Sequence, residues 1–516
     1  MKKLPLGIQT FSQLIEEEML YIDKTMYVQK LVQSYKYVFL SRPRRFGKSL
    51  LISTMMEFFN GNKALFEGLT AGKSGNLGDN PVIRIDFSRF STTDSSEFVR
   101  TLLNSLGSDS ETEGLRINSD LTGEFLVKYV IALSEKSGKR VVILIDEYDK
   151  PIVDNLDDLP TAEANREILR NFYGVIKSLD EYIEFMFITG VSKFAKVSVF
   201  SGLNQISDIT LDEEYAGICG YTQEELDSNF GEYFKRSIEK TGLPMHELTE
   251  RIKQWYNGYS WDGKTRLYNP YAILSFFSLS RFRNYWFETG TPDYLLKLIK
   301  REKYDLNTFD NLEISSVALN SEELQNIDIK SILFQTGYLT IDEVVVMYGM
   351  EKFKLRVPNY EVQNSLYTLL FANLTGQKSG DINKDSFDIV YYLDKEDIEG
   401  FITTLKSMFA QIPSNLYMDE EKYFHSLFIM MMYMSGIRME TEVNTNIGRI
   451  DGVIEFSDKI YLLEFKFKSD PGLAINQIMR KRYYEKYLKS GKKIILVGAT
   501  FSREEILVKS ELLSLK

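Results

Sequence analysis

YVFLSRPRRFGKSLLISTMMEFFN, residues Tyr37 to Asn60, decides how the rest of the chain is read. Tyr37–Leu40 is a short apolar run of the kind that forms a buried strand. Arg42–Ser49 is a polar loop ending in Gly47-Lys48-Ser49, and Leu50–Phe59 has the apolar content of a packed helix. Strand, loop closing on Gly-Lys-Ser, then helix is the layout of a phosphate-binding loop. The first turn of such a helix leaves backbone N–H groups unpaired and carries the positive end of the helix dipole, so an anion settles there. Lys48 then neutralises the outer phosphates of a nucleotide, and the Ser49 hydroxyl ligates its Mg²⁺. The pattern G-x-x-x-x-G-K-[ST] asks for glycine at position 42, where this chain has Arg42, followed by Pro43, Arg44 and Arg45. Losing that glycine costs the loop some freedom to fold its amides around phosphate, while the arginines add positive charge. Alone, the stretch also reads as an ordinary strand–turn–helix.

A second stretch raises its value. RVVILIDEYDKP, Arg140 to Pro151, has an apolar run at Val141–Ile145 that ends in Asp146-Glu147. A continuous apolar run suits a central parallel strand covered on both faces, and ligands of open α/β sheets gather at the carboxyl ends of such strands. Asp146 is then placed to hold Mg²⁺ through water, and Glu147 to polarise the water that attacks the γ-phosphate. An acidic turn after a core strand is the competing reading. In this order and together, the two stretches favour nucleotide binding, and the order of strands and helices as far as Gly190 suits a doubly wound, mostly parallel sheet.

The C-terminal part holds the other informative place. Thr441–Phe456 and Lys459–Lys468 read as strands joined by a turn at Ser457-Asp458. In the second strand Tyr461, Leu463, Phe465 and Phe467 share one face, so Leu462, Glu464, Lys466 and Lys468 share the other. Asp451 lies thirteen residues before Glu464, where a hairpin brings the two side by side. Two carboxylates and a lysine at one point suit metal-assisted phosphodiester cleavage. Asp451 and Glu464 would hold Mg²⁺ or Mn²⁺, and Lys466 would orient the attacking water and offset developing charge. A solvated, salt-bridged hairpin is the plainer alternative. Gly472–Leu488 reads as a helix carrying Arg480, Lys481, Arg482 and Lys486 among Tyr483, Tyr484 and Tyr487. It is equally a nucleic-acid track or the charged outer face of a packed helix. Lys493–Phe501 is expected to close the sheet.

Composition sets the limits. At 516 residues, two to four domains are expected, and 44% hydrophobic with 26% charged residues is a globular balance. One cysteine, Cys219, excludes an internal disulfide, and two distant histidines, His246 and His425, argue against a Cys/His zinc site. MKKLPLGIQTFSQLIEEEM lacks the apolar core of a signal peptide and no apolar run approaches a membrane span, so a cytoplasmic protein without membrane partners is expected. Net charge is −11, yet residues 421–516 hold 16 Lys+Arg against 12 Asp+Glu. A local basic surface therefore remains available to a polyanion.

Between the informative stretches, Pro81–Ser88 reads as a strand, Glu97–Ser105 and Phe125–Glu135 as helices, and Gly107–Ser119 as a surface loop. Asp154–Ala164 reads as an acidic loop, Asn165–Leu179 as a helix and Tyr182–Ile188 as a strand ending at Thr189-Gly190. Residues 222–275 look helical, opening on the capping box Thr222–Glu225, with WYNGYSWDGKTRLYNP as a hairpin or lid whose aromatics pack. The region 276–375 reads as largely helical, with helix–turn–strand over Ile329–Val346. An amphipathic helix spans 394–411, and the methionines of the helix Glu421–Gly436 belong to a core.

RPRRFGKS, LIDEYDKP, FITGVSKFAKVSVFSGLNQISDIT (Phe187–Thr210) and WYNGYSWDGKTRLYNPYAIL (Trp255–Leu274) resemble the AAA-ATPase-like family of bacterial proteins, over nearly the whole chain. Its members usually end in a PD-(D/E)XK-type nuclease domain, and Asp451…Glu464-x-Lys466 is similar to that motif. The resemblance implies an α/β fold: a P-loop AAA-like parallel-sheet domain over 1–275, a helical, winged-helix-like middle region over 276–375, and an α/β nuclease-like domain over 376–516. It makes Arg42 a family trait. It also implies a nucleotide site of Arg44, Arg45, Phe46, Gly47, Lys48, Ser49, Leu50 and Asp146, with Thr189, or more weakly Ser192, sensing the γ-phosphate. At the nuclease site it adds Glu442 as an auxiliary acid and Gln477 on the following helix. Tyr21–Thr25 matches the family's entry segment, near a nucleotide base or simply a packing arm. ATP, Mg²⁺ and a nucleic acid, DNA first, are the implied partners, and a homo-oligomer completing its site with a neighbour's arginine fits the family. The expected function is an ATP-driven switch joined to a metal-dependent nuclease; the alternative is a nucleotide-regulated scaffold or binding protein with an inactive nuclease fold.

Overall fold

A computed structural model describes residues 1–193, 199–200, 203, 205–287, 312–319, 328–376, 379–412, 421–437, 439–445, 447–502 and 505–514. The expectations for Phe187–Thr210 and 276–375 therefore fall partly outside the described residues. These residues form two compact units, one reaching Glu361 and the other beginning at Val362. No described helix is long and apolar enough to cross a membrane.

The first unit is built on five parallel strands: β1 Tyr37–Ser41, β2 Val82–Asp86, β3 Val141–Asp146, β4 Ile183–Gly190 and the two-residue β5 Ser207–Asp208, in the order β2-β3-β4-β1-β5. Every residue of β1 and β3 is buried, which requires cover on both faces and explains their unbroken apolar runs. Register aligns the carboxyl ends: Asp86 pairs with Asp146, and Ser41 with Gly190. The loop after β1 and the carboxylates after β3 thus open on one edge, with β4 between them.

Two expected loops are shorter than read. The helix Ser95–Thr112 runs through Gly107, because Phe98, Leu102, Leu106 and Ser110 keep one buried stripe at four-residue spacing. Leu159–Gly174 is helical, started by Pro160 in its first turn, so only the first part of Asp154–Ala164 is irregular. Thr222 and Glu225 do form the capping box. The aromatic segment after Tyr256 makes antiparallel bridges, Tyr259 to Leu267 and Tyr221 to Tyr268. Beyond it, β6 Leu312–Ser315, β7 Thr340–Met347 and β8 Met350–Arg356 form an antiparallel sheet ordered β6-β8-β7, with the helix Ile329–Thr336 between β6 and β7 in the chain. Tyr348 and Gly349, at φ 52° and 76°, turn the β7–β8 hairpin.

The second unit carries β9 Met439–Thr445, β10 Gly448–Glu455, β11 Lys459–Phe467, β12 Lys493–Phe501 and β13 Ile506–Leu512, ordered β13-β12-β11-β10-β9. Only β11 and β12 run parallel. The sequence Thr441–Phe456, read as one stretch, is a hairpin of two strands, and β12 is flanked by β13 instead of closing the sheet. Ile450, Val453, Ile460, Leu462, Ile494 and Leu496 pack against Ile475, Ile478 and Tyr483 on one face. The expected helix Gly472–Leu488 is broken. Pro471–Arg480 is α-helical, Arg482 takes a left-handed φ of 49°, and Tyr483–Ser490 continues as a tighter 3₁₀ segment that buries Tyr483. Met430, Met431, Met432 and Met434 are buried, as core residues should be.

Candidate functional site

The loop after β1 is fixed from inside by Arg42, which is wholly buried. Its guanidinium donates to the carbonyls of Ser41 (2.9 Å), Thr210 (2.8 Å) and Tyr215 (3.4 Å), and lies 4.2 Å from the centre of the Trp261 ring. Burial pushes its pKa down to about 10. The residue that breaks the glycine pattern is therefore the floor of the loop. Phe46 is buried edge-on to Tyr259 and Trp261, at 4.8 and 5.2 Å between centroids. Arg44 and Arg45 are exposed, Arg45 over the Tyr271 ring at 3.8 Å. Gly47, at φ 93°, is the left-handed residue that turns the loop into the helix Lys48–Phe59, whose first turn holds Ser49 and Leu50.

Lys48 is buried and donates to the carbonyls of Arg42 (2.9 Å) and Pro43 (3.0 Å). Burial lowers its pKa, against the pull of Asp146, Glu147 and Asp149. Asp146 is buried at the end of β3, and burial raises its pKa while a hydrogen bond from Ser49 and the charge of Lys48 act the other way. Ser49 and Asp146 thus meet as two hard oxygen donors, a pairing that fits Mg²⁺ beside phosphate. Glu147 follows at φ 50°, its carboxyl also raised by burial. Thr189 is brought to β1, but its hydroxyl donates to the Leu40 carbonyl at 2.7 Å.

Sequence reasoning passed over Asp149. Its carboxylate is buried and accepts from the backbone of Val191 (3.2 Å) and Ser192 (2.6 Å), tying the turn after β3 to the turn after β4. Tyr148 adds a hydrogen bond to the Ser192 carbonyl at 2.9 Å. The second Asp of Asp-Glu-Tyr-Asp was the available signal. Nothing in the sequence pointed to Trp261 as the face under Arg42, because that contact joins residues far apart in the chain.

In the second unit the β10–β11 ladder runs from Glu455–Ile460 to Gly452–Leu463 and stops there. One step further the Asp451 carboxylate accepts from the Phe465 amide at 2.7 Å, in place of a strand carbonyl. Glu464, 1% exposed, accepts at Oε1 from Lys466 (3.2 Å) and from the Gln477 amide, while its Oε2 has no hydrogen-bond partner among the described residues. Burial and then Asp451 push its pKa up to about 7, against Lys466. Gln477 reaches it because the helix Pro471–Arg480 lies directly on β12: a Cβ on Gly498, the residue paired with Glu464, would sit 2.2 Å from the Pro471 carbonyl oxygen. Glu442 lies on β9, and its side chain is outside the described residues. Among the described residues no three His, Cys, Asp or Glu side chains form a metal cage. Mg²⁺ needs only one or two carboxylates alongside substrate phosphate and water, so the unpartnered Glu464 Oε2 beside Asp451 fits such an ion.

Two family models match this chain: residues 5–200 match the AAA-ATPase-like family, described as "Predicted AAA-ATPase", and residues 419–511 match the PD-(D/E)XK nuclease superfamily. The chain is also similar, at 36% identity over 516 residues, to the "Uncharacterized protein in vnfD 5'region" of Azotobacter chroococcum mcd 1, covering 98% of this chain and 97% of that protein. Domains of these two kinds generally use nucleotide and divalent metal. The chain belongs to the AAA-ATPase-like family and carries a C-terminal domain of the PD-(D/E)XK nuclease superfamily.

Proposed function

We propose that the chain binds and hydrolyses ATP in its first unit and cuts DNA phosphodiester bonds in its second. The observation that carries the nuclease reading is the convergence of Asp451, Glu464, Lys466 and Gln477 where β10 parts from β11. Asp451 and Glu464 would hold Mg²⁺ or Mn²⁺, which when bound supplies Lewis acidity to the phosphate and an activated water. Lys466 steadies the nucleophile and offsets charge gathering on the phosphate oxygens, and Gln477 keeps the Glu464 carboxylate turned to the site. Glu442 is the auxiliary acid in this scheme. At the other site Gly47, Lys48, Ser49 and Leu50 cradle the phosphates by their amides, with Arg44, Arg45 and Phe46 forming the loop around them. Asp146 and Ser49 take the magnesium, and Glu147 orients water. Thr189 contributes at one remove, through its bond to Leu40 beside the loop. The single cysteine supports work in a reducing compartment such as the cytoplasm.

The test has two arms on the full chain. ATP turnover with Mg²⁺ should be lost in Lys48→Ala. Nicking of supercoiled plasmid with Mg²⁺ or Mn²⁺ should be lost in Asp451→Ala and Lys466→Ala. A wild type that cuts neither duplex nor single-stranded DNA with either metal overturns the nuclease reading and leaves a nucleotide-regulated binding protein.

A further inference from the structure

Three successive backbone N–H groups follow β4, and side chains take all three. Val191 and Ser192 donate to Asp149. Lys193 donates to Oε1 of Gln335, at 2.6 Å, in a contact buried on both sides. Gln335 is itself held, its Nε2 donating to the Ser331 hydroxyl (2.8 Å) and the Leu319 carbonyl (3.3 Å). Two residues later Gly337 stands at φ 92°, where a Cβ would lie 2.9 Å from Cβ of Pro43. The end of the helix Ile329–Thr336 is therefore seated on the phosphate loop itself. Trp286 reinforces the seat by donating Nε1 to the Arg44 carbonyl at 3.2 Å and packing edge-on to Tyr338 at 5.2 Å.

One helix end thus touches both sides of the nucleotide site. On one side is the loop that carries Lys48. On the other is the turn after β4, locked through Asp149 to Glu147 two residues away. Hydrolysis needs the terminal phosphate and the attacking water in line, and an error of about 1 Å in such an arrangement costs on the order of a hundredfold in rate. We propose that Gln335 is a positioning residue for nucleotide hydrolysis, fixing the turn after β4 against the phosphate loop and so setting the distance between Lys48 and Glu147. The proposal rests on the reading of this site as an ATPase and assigns a task in it to residues beyond the parallel sheet.

Gln335→Leu keeps the volume and removes the acceptor, whereas Gln335→Glu keeps an acceptor for the Lys193 amide. In the full chain, kcat for ATP should fall by about tenfold to a hundredfold in Gln335→Leu with KM nearly unchanged, and Gln335→Glu should restore most of it. A glutamine that only fills space predicts the opposite order, with leucine harmless and a buried carboxylate harmful. Hydrogen exchange gives a readout independent of turnover: the amides of 190–193 should be protected in the wild type and exposed in Gln335→Leu, at unchanged Tm. Unchanged kcat or unchanged exchange in Gln335→Leu overturns the proposal. A wild type that hydrolyses nothing removes the ATPase reading on its own, and the exchange of 190–193 with and without ATP then decides whether Gln335 holds the turn.

Discussion

Arg42 stands where the phosphate-loop pattern has glycine, and restoring the glycine should harm the protein. Arg42→Gly would strip donors from the Ser41, Thr210 and Tyr215 carbonyls and leave the Trp261 face without its cation. Orphaned buried groups cost about 1–3 kcal/mol each when unsatisfied, so chemical denaturation should show a loss of about 2–4 kcal/mol together with weaker ATP binding. A variant as stable as the wild type would refute the role given to Arg42. Glu464 makes a second prediction at this scale. Its carboxyl is raised to about 7 by burial and by Asp451. With metal chelated away, keeping it ionised destabilises the fold, so its share of stability is present below about pH 4.5 and is lost as pH rises towards 7. Glu464→Gln, which cannot ionise, should melt higher than the wild type at pH 8 in chelator, by on the order of 3 kcal/mol at most, and the gap should close in acid. Adding Mg²⁺ should stabilise the wild type more than Glu464→Gln. Equal melting curves at pH 8 would argue against a buried, metal-starved carboxylate.

At the scale of elements, the nuclease-like centre depends on how closely the helix Pro471–Arg480 lies on β12. Gly498 permits that contact, since a Cβ there would strike the Pro471 carbonyl and press on Ala474 and Ile475. Gly498→Ala should push the helix off the sheet, draw Gln477 from Glu464 and cost about 1–3 kcal/mol, with DNA cleavage falling further than stability does. Cleavage and stability both unchanged would mean the close contact has no part in the site. The same helix shows where sequence reading ends. Its amphipathic pattern runs on past Arg480, but a left-handed Arg482 lets Tyr483 turn into the core, and no local signal marks that break. The β9–β10 turn, by contrast, has a local signal in the polar run Asn444–Asn446 before Gly448.

Over the whole molecule, what local pattern controls was readable. The apolar runs of β1 and β3, the glycine that starts the helix Lys48–Phe59 and the strand β11 are all legible in local pattern, and each carries candidate site residues at or near a strand end. Long-range contacts were not readable: Arg42 on Trp261, Asp149 on the turn after β4, and Gln335 on Lys193 join residues dozens to hundreds of positions apart, and nothing in the spacing of one chain announces them. The β6–β8–β7 sheet was half visible, as the helix–turn–strand around Gly337 but not as three strands.

Asp451, Glu464 and Lys466 are proposed to work together on a phosphodiester through a divalent ion. Single-turnover cleavage of a supercoiled plasmid by the full chain in Mg²⁺, with wild type and Glu464→Gln side by side, tests it most directly. Cutting by the wild type, abolished by chelator and lowered at least about a thousandfold in Glu464→Gln, is the predicted result; equal cutting by the two proteins, or cutting that persists in chelator, would contradict it.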